Sequence, residues 1–334
     1  MSFKRFDQQD IVISSDSVTS PAWSDNEGTL TAFYTSSDQV ARTSGDYYWN
    51  IYQSATTNDN SAIQFSIAYG DLKGSGSLAF NAGALENTPS SVIYKQFRTL
   101  VNGTEETNLK FNGVESEYIY AISVERARYK EKLLPGSMTL KLSVGGNDLF
   151  LTDNSNYIAA ETFGDSGREY EIVSGSSGTR FTGAGTDGVY GYSPSNGSFG
   201  KFLPDVGVIL LNGPALANSS LAMSFPRNSN TDDNQINTLY SALSSITLRS
   251  EETVSSNYVF IRARNSEFNY STNPSNITGS GELRHSVMID SPQSYVTTVG
   301  LYNDNNDLLA VAKLSRPLIK DFTKEALIRV KLDY

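Results

Sequence analysis

The 334-residue chain contains no cysteine and a single histidine, His285. A disulfide bond, a thiolate nucleophile and a zinc–thiolate site are therefore excluded. His285 has no second imidazole with which to bind a metal, and it is best interpreted as a structural histidine. We expect no metal and no cofactor.

Long apolar runs and net positive charge are also missing. The longest apolar candidate, residues 206–217, is interrupted by glycine and proline and falls short of the ~20 residues that a membrane-spanning helix needs. Residues 1–17 lack an apolar run of secretory length, so we expect a soluble protein made without an export signal. A formal charge of −10 argues against a nucleic acid or an anionic membrane as the main partner.

The chain is rich in aromatic residues and in turn formers. It has 19 tyrosines, 16 phenylalanines and 26 glycines, a mixture that suits many short strands joined by tight turns. Apolar residues alternate with polar ones over 63–69, 138–144 and 328–334, as expected for half-buried antiparallel strands. We predict a mainly β fold of antiparallel sheets in a sandwich-like arrangement.

Two short helices and an insertion complete the predicted organisation. Thr88 and Pro89 suit the N-cap and first position of one helix, and Asp232 with Gln235 has the spacing of a capping box before a second. Between them lies a segment rich in glycine, serine and asparagine. We expect a β-rich core formed by residues 1–151 and 251–334, with residues 152–250 as a loop-rich, glycine-rich inserted subdomain.

Three motifs imitate catalytic or binding signatures. "GDSG" at 164–167 copies the nucleophile turn of a serine protease, but His285 follows Ser166 instead of preceding it as in that family. "GAGTDG" at 183–188 has the letters of a dinucleotide fingerprint without the helix that must follow it. "NDNND" at 303–307 lacks the terminal glutamate of a calcium loop and predicts a hairpin turn. We therefore predict that the chain is not an enzyme, although 36 acidic residues leave a carboxylate pair open.

Two groups of basic residues are candidates for a docking surface. The first is Arg126, Arg128, Lys130 and Lys132, next to a strand that is apolar on both faces. The second is Arg262 and Arg264, at the same parity as Tyr258 and Phe260 on a later strand. Either group could be a solvated face balanced by nearby glutamates such as Glu125 and Glu131, or a salt-bridged docking surface for an acidic neighbour.

Three segments carry a resemblance. "ERARYKEKLLPGSMTLKL", "RARNSEFNYSTNPS" and "TTVGLYNDNNDLLAVAKLSRPLIKDFTKEALIRVKLDY" resemble segments of a family of virion structural proteins of tailed bacteriophages, notably contractile-tailed phages of marine cyanobacteria. The likeness extends over most of the chain. The last segment also resembles the ends of tail and baseplate proteins, and the length and β content are similar to those of a baseplate wedge component.

The resemblance implies a structural particle component, made in a host bacterial cytoplasm and located in the virion, with other virion subunits as partners. The tail baseplate or wedge is the favoured position, and a capsid decoration or neck protein is the alternative. A carbohydrate-degrading tail enzyme is the alternative from another class. The residues themselves further predict a hairpin turning through Asn303–Asp307 and a final strand with Ile328, Val330, Leu332 and Tyr334 on its buried face.

Overall fold

A computed structural model describes residues 4–36, 48–76, 88–181, 195–223 and 234–333. The chain forms two compact units. The terminal unit contains Met1–Ser17 and Thr253–Tyr334, and the central unit contains Val18–Glu252. The fold is mainly β, as predicted, and its strands pair in antiparallel sheets.

The elements of the described residues follow in chain order. The strands are β1 (Ile11–Pro21), β2 (Thr29–Leu30), β3 (Tyr48–Tyr52), β4 (Ile63–Asp71), β5 (Lys110–Phe111), β6 (Val114–Glu115), β7 (Tyr118–Val124), β8 (Lys132–Leu133), β9 (Thr139–Val144), β10 (Asn147–Asp153), β11 (Thr162–Gly164), β12 (Gly167–Ser176), β13 (Thr179–Arg180), β14 (Gly200–Leu203), β15 (Val208–Asn212), β16 (Leu243–Thr247), β17 (Arg249–Ala263), β18 (Gln293–Tyr302), β19 (Leu308–Asp321) and β20 (Ala326–Asp333). The helices are α1 (Pro89–Asn102), α2 (Gly213–Ala217), α3 (Asn234–Ala242) and α4 (Val287–Asp290).

The central unit is built on one large curled sheet. Its strands run in the order β2-β16-β9-β10-β12-β14-β15-β7-β4-β3, and β11 and β13 add short pairs to β12. The chain just after β2 also bonds to the other end of the sheet, because Tyr34 and Tyr52 exchange two backbone hydrogen bonds of 3.0 and 2.8 Å. The sheet therefore curls until its two ends are linked.

The curled sheet encloses the main core. This cluster contains 35 buried apolar side chains. Alternation explains it, since Phe65 and Ile67 of β4 point inward as the sequence predicts, and Phe199 and Phe202 join them from the predicted insertion. A smaller second cluster is formed with α1 outside the sheet, and it includes Tyr94, Ile119 and Leu210.

The two predicted helices are present. Thr88 is the N-cap of α1, Pro89 is its first residue, and Gly103 ends it in the left-handed conformation at φ 66°. α3 buries Ile236 and Leu239 in the main core. Its proposed cap, Asp232, lies outside the described residues, as do Tyr334 and the "GAGTDG" motif.

The structure divides the chain differently from the predicted boundaries. Residues 152–250 contribute the last residues of β10 and all of β12, β14, β15 and β16 to the large sheet, so they are not a separate subdomain. Residues that favour turns dominated the sequence pattern there, and they hid short strands such as Gly200–Leu203. The boundary between the units falls instead within β1 and β17.

The terminal unit is sandwich-like. β1, β17 and β20 form a sheet, and the hairpin of β18 and β19 packs against β17 and β20 through a core of Val259, Leu301 and Val330. The final strand pairs with β17 from Ser256↔Asp333 to Ala263↔Ala326. The predicted closing strand is thus present, with Ile328, Val330 and Leu332 on its covered face.

The hairpin turns where the sequence predicts, and its register decides which side chains are covered. An uninterrupted register across the turn would place Leu309 and Val311 on the same side as Val299 and Leu301, but Ala310 and Ala312 lie there instead. A register irregularity between Leu301 and Tyr302 shifts the alternation by one residue. Leu309 and Val311 therefore point to solvent.

Candidate interaction surface

The first predicted basic group is bound within its own unit. Arg126 donates to the Tyr129 carbonyl oxygen and lies 4.7 Å from the centre of that ring, and Arg128 donates to Ser24 Oγ. Lys130 pairs with Glu252, and Lys132 Nζ lies 3.6 Å from Glu251 Oε2. These contacts join the segment after β7 to neighbouring strands. The four cations thus have partners in the chain itself, which favours the balanced-face interpretation for them.

The second predicted group is divided. Arg262 is exposed on β17 and pairs with Glu325 Oε2 at 2.8 Å. Arg264 lies beyond the end of β17, where its backbone N–H donates to Glu267 Oε2. Of the two, Arg262 shares a strand face with Tyr258 and Phe260.

Three residues of β20 extend that face. Across the ladder, Tyr258 lies opposite Lys331, Phe260 opposite Arg329, and Arg262 opposite Leu327. We call these six residues the sheet face. It is the side of β17 and β20 that the hairpin leaves uncovered, because Val259, Ile261 and Val330 on the other side meet the hairpin.

The sheet face is basic and aromatic. The Arg329 guanidinium lies 5.5 Å from the centre of the Tyr258 ring, and Lys331 Nζ lies 5.9 Å from it. Lys331 also pairs with Asp333 at 2.9 Å, which raises the pKa of Lys331. Arg329 has no carboxylate within 4.0 Å in the part of the chain that is described. Leu327 is 67% exposed and adds apolar surface.

The opposite surface of the terminal unit ends in an acidic, apolar turn. We call Asp304, Asp307, Leu308, Leu309 and Val311 the hairpin tip. Leu309 and Val311 are 69% and 58% exposed. Asn303 fixes the turn, since its Oδ1 accepts from the backbone N–H groups of Asn305 and Asp307. The two aspartates form no ion pair with a cation of the described ranges.

The edge strand β1 also exposes apolar side chains. Ile11, Val12 and Ile13 are 42%, 48% and 72% exposed, although neighbours on a strand point to opposite faces. Asp16 is the sole charged residue of this strand. Edges of this kind, with little charge and with apolar side chains on both faces, readily pair with another chain.

Exposed apolar side chains are concentrated in the terminal unit. Among described residues, 23 large apolar side chains are exposed, and 14 of them lie in this unit, which is less than a third of the chain. The 14 are Phe6, Ile11, Val12, Ile13, Tyr270, Val287, Ile289, Tyr295, Leu308, Leu309, Val311, Ile319, Phe322 and Leu327. Among the described residues, the terminal unit thus has the smallest of the three apolar clusters and most of the exposed large apolar side chains.

Part of this surface is predicted by the sequence. Strand parity identifies Arg262 with Tyr258 and Phe260, but it does not reveal Arg329 and Leu327. Their signal was the alternation of the last strand, whose exposed parity is Leu327, Arg329 and Lys331. The missing information was that β17 and β20 are neighbours.

A second charged site lies in the central unit. Lys201 of β14 contacts two carboxylates of β12, Glu169 Oε2 at 2.9 Å and Glu171 Oε1 at 3.6 Å. Burial lowers the pKa of Lys201, but the two glutamates outweigh burial and raise it overall. These residues line a small open depression of about 50 Å³ with Asn154, Ile158, Thr162 and Tyr170. Burial and a hydrogen bond to Glu161 raise the pKa of Tyr170 to about 12.

The residues that imitate catalytic motifs lie in different units. Ser166 is buried in the tight turn between β11 and β12 of the central unit, and its hydroxyl has no hydrogen-bond partner among the described residues. His285 is exposed in the terminal unit. In the described ranges, no group of three histidine, aspartate or glutamate side chains comes together to hold a metal ion. The helices described here are all too short or too polar to cross a bilayer.

Comparison with known proteins finds no relative of this chain. No protein-family model, no curated protein and no solved structure matches the chain.

Proposed function

We propose that the chain is a non-enzymatic structural subunit of a bacteriophage virion, built into the tail at its baseplate or wedge. The assembly role is supported by the terminal unit, in which three buried core residues stand beside 14 exposed large apolar side chains. The virion and the tail position are supported by the segments that resemble phage structural proteins. A capsid decoration or neck position is the alternative within the same class.

The energetics favour a partner for the terminal unit. Full burial of a large apolar side chain contributes about 1.5 to 3 kcal/mol. This core has three buried side chains and six that are only partly buried, so it offsets less of the entropy cost of ordering the unit than a fully buried core would. Covering the exposed leucines, isoleucines and valines in an assembly would add further burial.

Fractionation of virions tests the proposal. Purified particles are separated into heads and tails, and the chain is quantified in each fraction by mass spectrometry. We expect it in tails at a constant ratio to other tail proteins. Recovery with heads would support the decoration or neck alternative, and absence from particles would refute the proposed function.

A matched pair of variants tests the role of the terminal unit. Val311→Asp places a charge on the hairpin tip, and Val92→Asp places the same charge on an equally exposed residue of the central unit, at 58% and 56% exposure. We expect Val311→Asp to reduce incorporation into particles at least tenfold while the isolated chain still folds. Equal incorporation of both variants would contradict the role of this surface.

A carbohydrate-cleaving enzyme is the second candidate, because Glu169 and Glu171 form a carboxylate pair beside a depression. Against it, Lys201 Nζ pairs with both carboxylates, at 2.9 and 3.6 Å, so both glutamates are already engaged by a cation of the chain itself. Polysaccharide cleavage that is lost in both Glu169→Gln and Glu171→Gln would favour the enzyme over the structural subunit.

A further inference from the structure

The two outward surfaces of the terminal unit are complementary in charge and in apolar character. The sheet face offers Arg329, which lacks an ion pair in the described part of the chain, beside Tyr258, Phe260 and Leu327. The hairpin tip offers Asp304 and Asp307 beside three exposed aliphatic side chains. An acidic apolar surface and a basic apolar surface attract each other and bury apolar area together.

These surfaces cannot meet within one molecule. The hairpin packs on the side of β17 and β20 that carries Val259 and Val330, and the sheet face is the other side of the same two strands. The tip would have to pass through its own sheet to reach it. Any contact between the tip and the sheet face is therefore a contact between two molecules.

We propose that the partner of the sheet face is the hairpin tip of a second copy of this chain, so that copies associate head to tail. Each copy presents one tip and one face, so in a head-to-tail arrangement the contact can repeat into a ring or an open filament. This inference rests on the proposed function, because it names the partner of an assembly subunit. The attraction weakens with added salt, since the charges are exposed.

Charge reversal on each surface tests the pairing. Arg329→Glu and Asp304→Lys each place like charges across the contact, and neither residue has a salt bridge in the described part of the chain whose loss would disturb folding. Arg249→Glu is the control, because Arg249 is an exposed arginine of the same strand β17 in the central unit. The full chain and the variants are compared by sedimentation velocity over a range of protein concentrations at low salt.

We expect the wild-type chain and the Arg249→Glu control to form species larger than a dimer. For each single variant, the protein concentration at which half of the chain is associated should rise at least tenfold. The double variant Arg329→Glu/Asp304→Lys restores opposite charges across the contact and recovers the larger species. Wild-type chain that stays monomeric, or single variants that associate like the wild type, would overturn the inference. If association fails while Val311→Asp still blocks incorporation into particles, another subunit is the partner and the proposed function stands.

Discussion

Arg168 and Asp205 form a partly buried ion pair of the central unit that is joined by several hydrogen bonds. Asp205 accepts from the Arg168 backbone N–H at 2.8 Å, and its Oδ1 accepts from Nη2 at 2.6 Å. Burial raises the pKa of the Asp205 carboxyl, but the hydrogen bonds from Arg168 outweigh burial and hold the pKa below its ordinary value. The bonds connect the start of β12 to the turn between β14 and β15.

We expect Asp205→Asn to lower the free energy of unfolding of the central unit by about 1.5 to 3 kcal/mol at pH 7, the range for hydrogen bonds to charged groups. The pKa of this carboxyl is lower in the folded state than its unfolded-state value of about 3.9. Its charge therefore contributes stability that is fully present above the unfolded-state pKa and is lost as the pH falls through the folded-state pKa. The difference between wild type and variant should therefore shrink below about pH 4.

Urea unfolding at pH 7 and pH 3 measures this difference. The two tryptophans, Trp23 and Trp49, are both buried in the central unit, so their fluorescence reports its unfolding. Asp148→Asn is the control, since Asp148 pairs with Lys141 at the surface and should leave the unfolding curve unchanged. A difference of the same size at both pH values would contradict the assigned role of the Asp205 charge.

Ser166 and His285 supply a prediction about chemistry. The Ser166 hydroxyl is buried and has no hydrogen-bond partner in the described part of the chain, so Ser166→Ala should leave thermal stability unchanged or slightly raised. His285 is exposed, and His285→Ala should also be neutral. Both variants should give particles of normal infectivity. A loss of infectivity in either variant, with normal melting, would reveal a functional role that the structural account lacks.

At the scale of elements, the last strand contributes much of the strand pairing and apolar packing of the terminal unit. β20 pairs with eight residues of β17 and contributes Val330 to a core of three side chains. We expect deletion of residues 326–334 to cost several kcal/mol, at about 1.5 to 3 kcal/mol for each large buried side chain. Protease cleavage should then concentrate after Thr253, while the central unit stays resistant.

Limited proteolysis followed by mass spectrometry maps these cleavage sites. Leu327→Ser is the control, because Leu327 belongs to the same strand but lies on its exposed side. If the truncated chain resisted protease as well as the full chain, β20 would be a docking arm and not a part of the folded unit.

The sequence predicted individual strands and helices better than it predicted which of them lie side by side. Alternation identified the covered side of β20, and Pro317 marks the place where the ladder of β18 and β19 is interrupted between Val296 and Thr298. Alternation alone does not show which side of the hairpin Leu309 and Val311 occupy, because a register irregularity is set by strand pairing and not by the local pattern. Lys320 shows the same limit. This strand lysine is fully buried, and its ammonium donates to Asn265 O, Asn269 Oδ1 and Asp321 O.

The whole molecule combines a well-filled central unit with a sparsely filled terminal unit. Composition indicated β structure and an acidic chain, but it could not show that the exposed apolar residues gather in one unit. That distribution depends on which strands pair, as the position of Arg329 beside Tyr258 illustrates. Of the two predicted basic groups, it leaves Arg262 on the candidate docking surface and not Arg126 and its neighbours.

Radical footprinting of the free chain and of the assembled particle tests the central claim most directly, because it measures solvent access to individual aliphatic side chains. Leu309, Val311 and Leu327 should be oxidised in the free chain and protected at least fivefold in the particle, whereas Val92 should be oxidised equally in both. Equal oxidation of the terminal-unit residues in free chain and particle would contradict the claim that this unit is an assembly surface.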